Sequence, residues 1–200
     1  MAEEHFIFPL GTVLYPGGML QLKIFEQRYI EMTKVCLRDQ RPFGVCLIKE
    51  GGEVGAPAVP ERVGCLATIE HWEMPQLGLF QLVARGGERF RLIETRVAAN
   101  GLMSGSLERF DTDAGTAEVD PACRRVLQAI IEGVGSARFP QPIALDDAAW
   151  VGYRLCEILP LDNAAKQRLL EVQDAGERLQ ALRAVLMQRG LMSAAPDATN

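Results

Sequence analysis

Residues 6–32 read FIFPLGTVLYPGGMLQLKIFEQRYIEM, from Phe6 to Met32. Phe6-Ile7-Phe8-Pro9-Leu10 is a short extended segment. Pro16, Gly17 and Gly18 stand together and mark a turn. In the run Met19 to Phe25, Leu20, Leu22 and Ile24 alternate with Gln21 and Lys23, the period of a half-buried strand. From Glu26 the period changes. Tyr29, Ile30, Met32, Cys36 and Leu37 form a helical stripe. A helix set directly on the end of a strand, with almost no linker, is the expected core motif.

Outward from this stretch the chain stays rich in strands up to about residue 112. The helix runs to about Asp39, before Arg41-Pro42 stops it. Phe43 to Ile48 is a continuous apolar run suited to a central strand. Gly51 to Pro60 is a loop. Val63 to Ile69 is a strand reaching toward Trp72 or Met74, and Pro75-Gln76-Leu77-Gly78 turns the chain. Leu79–Ala84 and Arg89–Thr95 read as the arms of a hairpin around Arg85-Gly86-Gly87-Glu88. Phe90 and Leu92 then point inward, Arg89 and Arg91 outward. Asn100-Gly101 turns into a last strand, Leu102 to Phe110. Residues 111–119 are small and polar and serve as a boundary.

Helices are expected over 118–192. Asp120-Pro121 opens the first, with Val126, Leu127, Ile130, Ile131 and Val134 as its apolar stripe. Asp146 or Asp147 caps a second that ends at Pro160. Asp162 caps a short third, and Asp174 with Glu177 opens a fourth that Gly190 terminates. Residues 193–200 read as a disordered tail. The fold class is therefore α+β: strands closed into a barrel-like sheet with one inserted helix over 1–112, then a helical part over 118–192.

The opening stretch strongly resembles the start of the Lon protease N-terminal (substrate-binding) domain. The resemblance is carried by Phe8-Pro9-Leu10-Gly11-Thr12-Val13-Leu14-Tyr15-Pro16-Gly17-Gly18 and by Ile24-Phe25-Glu26-Gln27-Arg28-Tyr29. It continues through Arg41–Val45, Val63–Ala67 and Gly87–Leu92. Tyr15 stands where that family usually has Phe. The resemblance implies a pseudobarrel similar to the PUA superfold and a module that recognises polypeptide substrates. It also implies a stand-alone copy, because no motif of an ATPase or a protease occurs in the 200 residues.

Bulk properties restrict the function classes. At 200 residues the chain buries a sizeable core without metal or disulfide. A formal net charge of −5 opposes a dedicated nucleic-acid binder. Cys36, Cys46, Cys65, Cys123 and Cys156 show no C-x-x-C spacing and read as reduced core thiols. The N-terminus lacks a basic-then-apolar signal, and no apolar run approaches membrane length, so a cytoplasmic protein is expected.

Catalytic chemistry finds little to work with. His5, expected in a loose N-terminus, and His71 lack metal-ligand spacing. Four serines sit outside any G-x-S-x-G. Gly133-Val134-Gly135-Ser136 follows a helix rather than a strand, so it does not make a phosphate loop. Neither cofactor, metal nor catalytic residue is expected. Glu26 and Arg28, at the strand-to-helix junction, read as a structural pair tying the helix to the sheet, with a ligand-binding role as the lesser alternative.

Two constellations remain as binding candidates. One is the apolar rim of turns, Tyr15, Pro16, Met19, Trp72, Met74, Pro75 and Leu77, suited to unfolded apolar peptide. Covering an interface within the fold is the competing explanation. The other is Arg85, Arg89, Arg91 and Arg96 on one hairpin, which would serve RNA. Interleaved Glu88 and Glu94 favour a salt-bridged face instead. A non-catalytic polypeptide-binding module, meeting unfolded or degron-bearing chains or a protease partner, leads this list. An RNA-binding PUA-like module follows, and a small-molecule enzyme comes last.

Overall fold

The computed structural model describes residues 4–110 and 117–191; the expected tail lies outside them. Six strands come first in the order β1 (Glu4–Leu10), β2 (Met19–Ile24), β3 (Phe43–Glu50), β4 (Val59–Gln76), β5 (Leu79–Val97) and β6 (Met103–Arg109). Helix α1 (Gln27–Asp39) lies between β2 and β3. Helices α2 (Pro121–Val134), α3 (Ala148–Ile158), α4 (Asn163–Glu171) and α5 (Ala175–Gln188) follow. Two compact units result: Met1–Thr112 with Leu161–Glu171, and Asp113–Pro160 with Val172–Asn200.

In the first unit the sheet order is β2-β5-β4-β3-β1-β6, and β5 also pairs with β6. The pairings β5-β4-β3-β1-β6-β5 therefore form a closed circuit that leaves those strands without an open edge along their paired lengths. β2 stands outside the circuit, attached among the described residues to β5 alone. Every contact in the circuit is antiparallel except β1 with β3, a parallel pair joined through β2 and α1. Phe8, Tyr29, Phe43, Ile24, Phe80 and Leu82 build the main apolar cluster, and Phe90 with Ile7, Leu66 and Leu92 builds a second. Fully burying an aromatic such as Phe90 contributes roughly 2–3 kcal/mol.

The hairpin expected at Arg85–Glu88 is absent. β5 runs unbroken through it for 19 residues, and the real hairpin turn is at Leu77-Gly78, where Gly78 takes φ +84°. Gly86 serves close approach rather than a turn. A Cβ there would lie 2.2 Å from the Tyr15 carbonyl oxygen. Across that gap the Gly17 N–H donates to Gly86 at 2.7 Å, and the Gly86 N–H donates to Gly18 at 2.8 Å. Two adjacent glycines look alike in sequence whether they bend a chain or let a second one pass.

Helix α4 was expected among the C-terminal helices, yet it groups with the sheet. Polar contacts account for this. The Tyr15 hydroxyl donates to the Lys166 carbonyl at 2.7 Å, and Gln167 Nε2 donates to the Val63 carbonyl at 3.0 Å. Asn163 Nδ2 donates to Gly11 at 2.6 Å, and Arg89 donates to the Leu170 carbonyl at 2.8 Å. Such side-chain partners leave no hydrophobic periodicity to read.

In the second unit α2, α3 and α5 pack pairwise around Cys123, Leu127, Val151, Leu155, Leu179 and Leu182. The α2 stripe is narrower than expected: Leu127 and Ile131 are buried, whereas Val134 is exposed. Asp120 caps α2, accepting the Ala122 and Cys123 N–H groups at 2.9 Å each. Burial works to raise its carboxyl pKa, but those two N–H groups and Arg183 at 3.1 Å outweigh it and hold it below the usual range. Arg178 is buried with its guanidinium 4.2 Å from the Tyr153 ring centre, and it donates to the Val172 carbonyl at 2.6 Å.

Candidate functional site

The junction of β2 and α1 is structural. Glu26 precedes the helix in extended conformation and pairs with Arg28 at 3.0 Å. Arg28 is buried, lies 4.6 Å from the Tyr29 ring centre and reaches the Gly101 carbonyl at 3.4 Å. One guanidinium thus ties the helix start to the turn between β5 and β6.

The apolar rim divides on inspection. Tyr15 is 0% exposed and belongs to the core; its role as a rim contact is corrected, since its hydroxyl is committed to Lys166. Met19 is 45% exposed and pairs with Arg85 on the outward face of β2. Trp72 pairs with Leu82, on the inward face, so Met19 and Trp72 lie on opposite sides of the sheet. Trp72 and Met74 are 47% and 46% exposed, and Leu77 in the turn is 95% exposed. The Trp72 ring centre is 5.8 Å from that of Phe80, which anchors the tip to the core. Trp72, Met74 and Leu77 are what remains of the rim: an exposed apolar tip on the β4–β5 hairpin.

The arginines do not form a free basic face. Arg89, expected outward, is 4% exposed and donates to Leu170. The pairing is continuous from Val63 opposite Arg91 to Cys65 opposite Arg89, so Arg89 does lie on the face opposite Phe90 and Leu92; it is buried there because it reaches the Leu170 carbonyl of α4. Arg85 pairs with Glu70, Arg91 with Glu108 at 3.6 Å, and Arg109 with Glu88 at 2.8 Å. Arg96 is exposed. The RNA-binding alternative loses its sequence support, because Arg85 and Arg91 are already paired with carboxylates and Arg89 is buried.

All five cysteines are buried thiols outside any disulfide. Burial pushes the Cys36 thiol up to about 11 and those of Cys46 and Cys123 to about 12, which suppresses thiolate chemistry at neutral pH. His5, expected in a loose terminus, is buried in β1 opposite Gly105. His71 is exposed. Among the described residues no group of His, Cys, Asp and Glu is placed to hold a metal. No helix among them is long and apolar enough to cross a membrane.

Sequence reasoning missed a groove of about 310 Å³ beside β2. Leu20, Leu22 and Phe25 line it from β2 and its end, Phe8 and Tyr29 form its floor, and Val54 closes it from the loop after β3. Phe25 and Val54 are exposed. Glu53 also faces it while accepting the Gly11 N–H at 2.6 Å. Sheet order carries this feature, and order is not written in the local pattern of β2.

Residues 4–188 match the model of the ATP-dependent protease La (LON) substrate-binding domain. The chain belongs to that family. A solved Lon N-terminal domain protein from Xanthomonas campestris superposes with a TM-score of 0.76 at 34% identity, covering 91% of this chain and 98% of that one. The N-terminal domain of Mycobacterium avium complex Lon protease shares the fold, with a TM-score of 0.69 at 16% identity over 91% and 97% of the two chains. A Lon protease of Methylocella silvestris is 25% identical over 195 residues, 90% of this chain, and the match spans only 23% of that relative. This Lon substrate-binding domain shares the fold of its solved relative and has, among the described residues, a strand-rich sheet with five α-helices.

Proposed function

We propose that this Lon substrate-binding domain is a non-catalytic module that binds unfolded or degron-bearing polypeptide, working in the cytoplasm alone or for a protease partner. The observation that carries the reading is the apolar tip. Trp72, Met74 and Leu77 are held in solvent by two long paired strands. Exposed aromatic and methionine side chains on a rigid support match partners defined by apolar content rather than by one sequence. Buried cysteines with raised pKa values support the absence of a nucleophile. We further assign the closed sheet to the PUA-like pseudobarrel class and α2, α3 and α5 to a C-terminal helical bundle.

Titration of the isotope-labelled protein with a reduced, carboxymethylated and therefore unfolded protein tests the reading. Shifts centred on Trp72, Met74 and Leu77 that persist at high salt are expected. The double variant Trp72→Ala with Leu77→Ser weakens binding about tenfold, as loss of two apolar anchors requires. Absence of any shift at saturating polypeptide removes the proposal.

A further inference from the structure

The free edge of β2 carries a more specific assignment, which rests on the polypeptide-binding reading above. β2 pairs with β5 in one continuous register, from Met19 opposite Arg85 to Ile24 opposite Phe80. The phase of the ladder follows from its start, where the Gly86 N–H donates to the Gly18 carbonyl. Alternation then turns the backbone groups of Leu20, Leu22 and Ile24 toward β5 and those of Met19, Gln21 and Lys23 toward the open side. No strand covers that side among the described residues. An unpaired row of N–H and C=O groups is a template for another strand.

The surroundings fit such a guest. Leu20 and Leu22 are half-buried and point inward beside the edge, and exposed Phe25 and Val54 flank the groove. Glu26 is already paired with Arg28. Glu53, by contrast, has no cationic partner among the described residues and faces the groove; Lys23, whose register position is opposite Gln81, also borders it. The groove is also continuous with the apolar tip, since Ile24 pairs with Phe80 and Phe80 packs on Trp72.

We propose that an extended polypeptide segment, apolar at alternate positions and carrying a basic side chain, adds to β2 as a further strand. Its backbone pairs with Gln21 and Lys23, its apolar side chains enter the groove, and its basic group meets Glu53. Main-chain pairing gives affinity for many sequences, and the groove selects apolar alternation.

The test uses a fluorescent peptide of alternating valine and lysine, matched in length to β2, in two N-methylated forms. One form methylates the nitrogens of one strand edge, the other form those of the opposite edge. Strand addition predicts that one form loses about tenfold or more in affinity while the other binds like the parent. Gln21→Pro, which removes an N–H directed away from β5 and is tolerated at such an edge, weakens the parent peptide similarly. Glu53→Gln weakens it less, and with a salt dependence. If both methylated forms bind like the parent while Trp72→Ala with Leu77→Ser abolishes binding, the strand-addition proposal falls and the tip alone receives polypeptide. If neither the parent peptide nor an unfolded protein binds, both readings fall. If the protein sediments as a dimer that Gln21→Pro dissociates, the edge is occupied by a second copy and the proposal is overturned.

Discussion

At its root the β4–β5 pair is buried, with Val63 to Ala67 on β4 and Phe90 with Leu92 on β5 closed off from solvent. A few residues further along the same strands, Glu70 to Leu77 are exposed almost without break. The two regions share one ladder of hydrogen bonds and differ in what their side chains meet. At the root, a Cβ on Gly64 would lie 2.4 Å from the Val45 carbonyl oxygen and 2.6 Å from the Phe90 ring. At the tip, a Cβ on Gly78 would meet nothing within 4 Å. The root is packed to the point where a methyl group does not fit, so it carries stability. The tip keeps apolar side chains in water at a cost that packing within its own strands does not offset, which is what a recognition surface does. Variants along the pair should separate stability from binding by position alone.

The largest effect is expected at the root. Phe90→Ala removes a ring that fills the space above Gly44 and Gly64, and it should destabilise by about 3–5 kcal/mol in urea unfolding. A loss under about 1 kcal/mol would mean that the root is loosely packed and the contrast with the tip is false. Next comes Arg89→Ala. The Arg89 guanidinium is buried and donates to the Leu170 carbonyl, so its loss strands that carbonyl and detaches one of the contacts holding α4. About 1–3 kcal/mol is expected, with hydrogen exchange rising first in 163–171. Unchanged protection there would show that α4 is held by other contacts.

Arg85→Ala, four residues earlier on the same strand, sharpens the comparison because the residue type is the same. Arg85 pairs with Glu70, and both side chains are 39% exposed. Solvent screens that pair, so the loss should stay below about 1 kcal/mol and shrink further in salt. A loss as large as that of Arg89→Ala would mean that exposure does not govern the cost.

The legible and illegible parts of the chain divide along the same physical line. The strand-to-helix switch at Glu26 was visible because the apolar period changes there, and α1 begins at Gln27. The caps at Asp120 and Asp174 are visible because short polar side chains have one common use before a helix, whereas the choice between Asp146 and Asp147 falls to Asp147 only in the structure. Gly86-Gly87 misled because a glycine that admits the Tyr15 carbonyl has the same letter as one that turns a hairpin. Tyr15 and Arg89 misled for a related reason. Each reaches a backbone carbonyl of α4 from far away in sequence, and nothing near either residue records that distant acceptor. Trp72, Met74 and Leu77 were singled out by residue type near turns, and the structure leaves all three in solvent. The free edge of β2 was invisible, since its own alternation is that of any half-buried strand.

The smallest effect on stability is expected at the tip, where it is most informative. Leu77 is 95% exposed, in the turn before β5, and makes no packing contribution to either apolar cluster. Leu77→Ser should leave stability within about 0.5 kcal/mol, as surface substitutions away from special features do. It should nevertheless lower affinity for an unfolded apolar polypeptide several-fold, because an exposed leucine is spent on a partner or on nothing. The side chain sits where its removal opens no cavity and frees no hydrogen bond, so a binding loss measured by titration has no folding explanation. Were stability to fall by more than about 1 kcal/mol instead, Leu77 would be a structural residue of the turn, and the division of β4–β5 into a stabilising root and a recognising tip would fail at its outermost position.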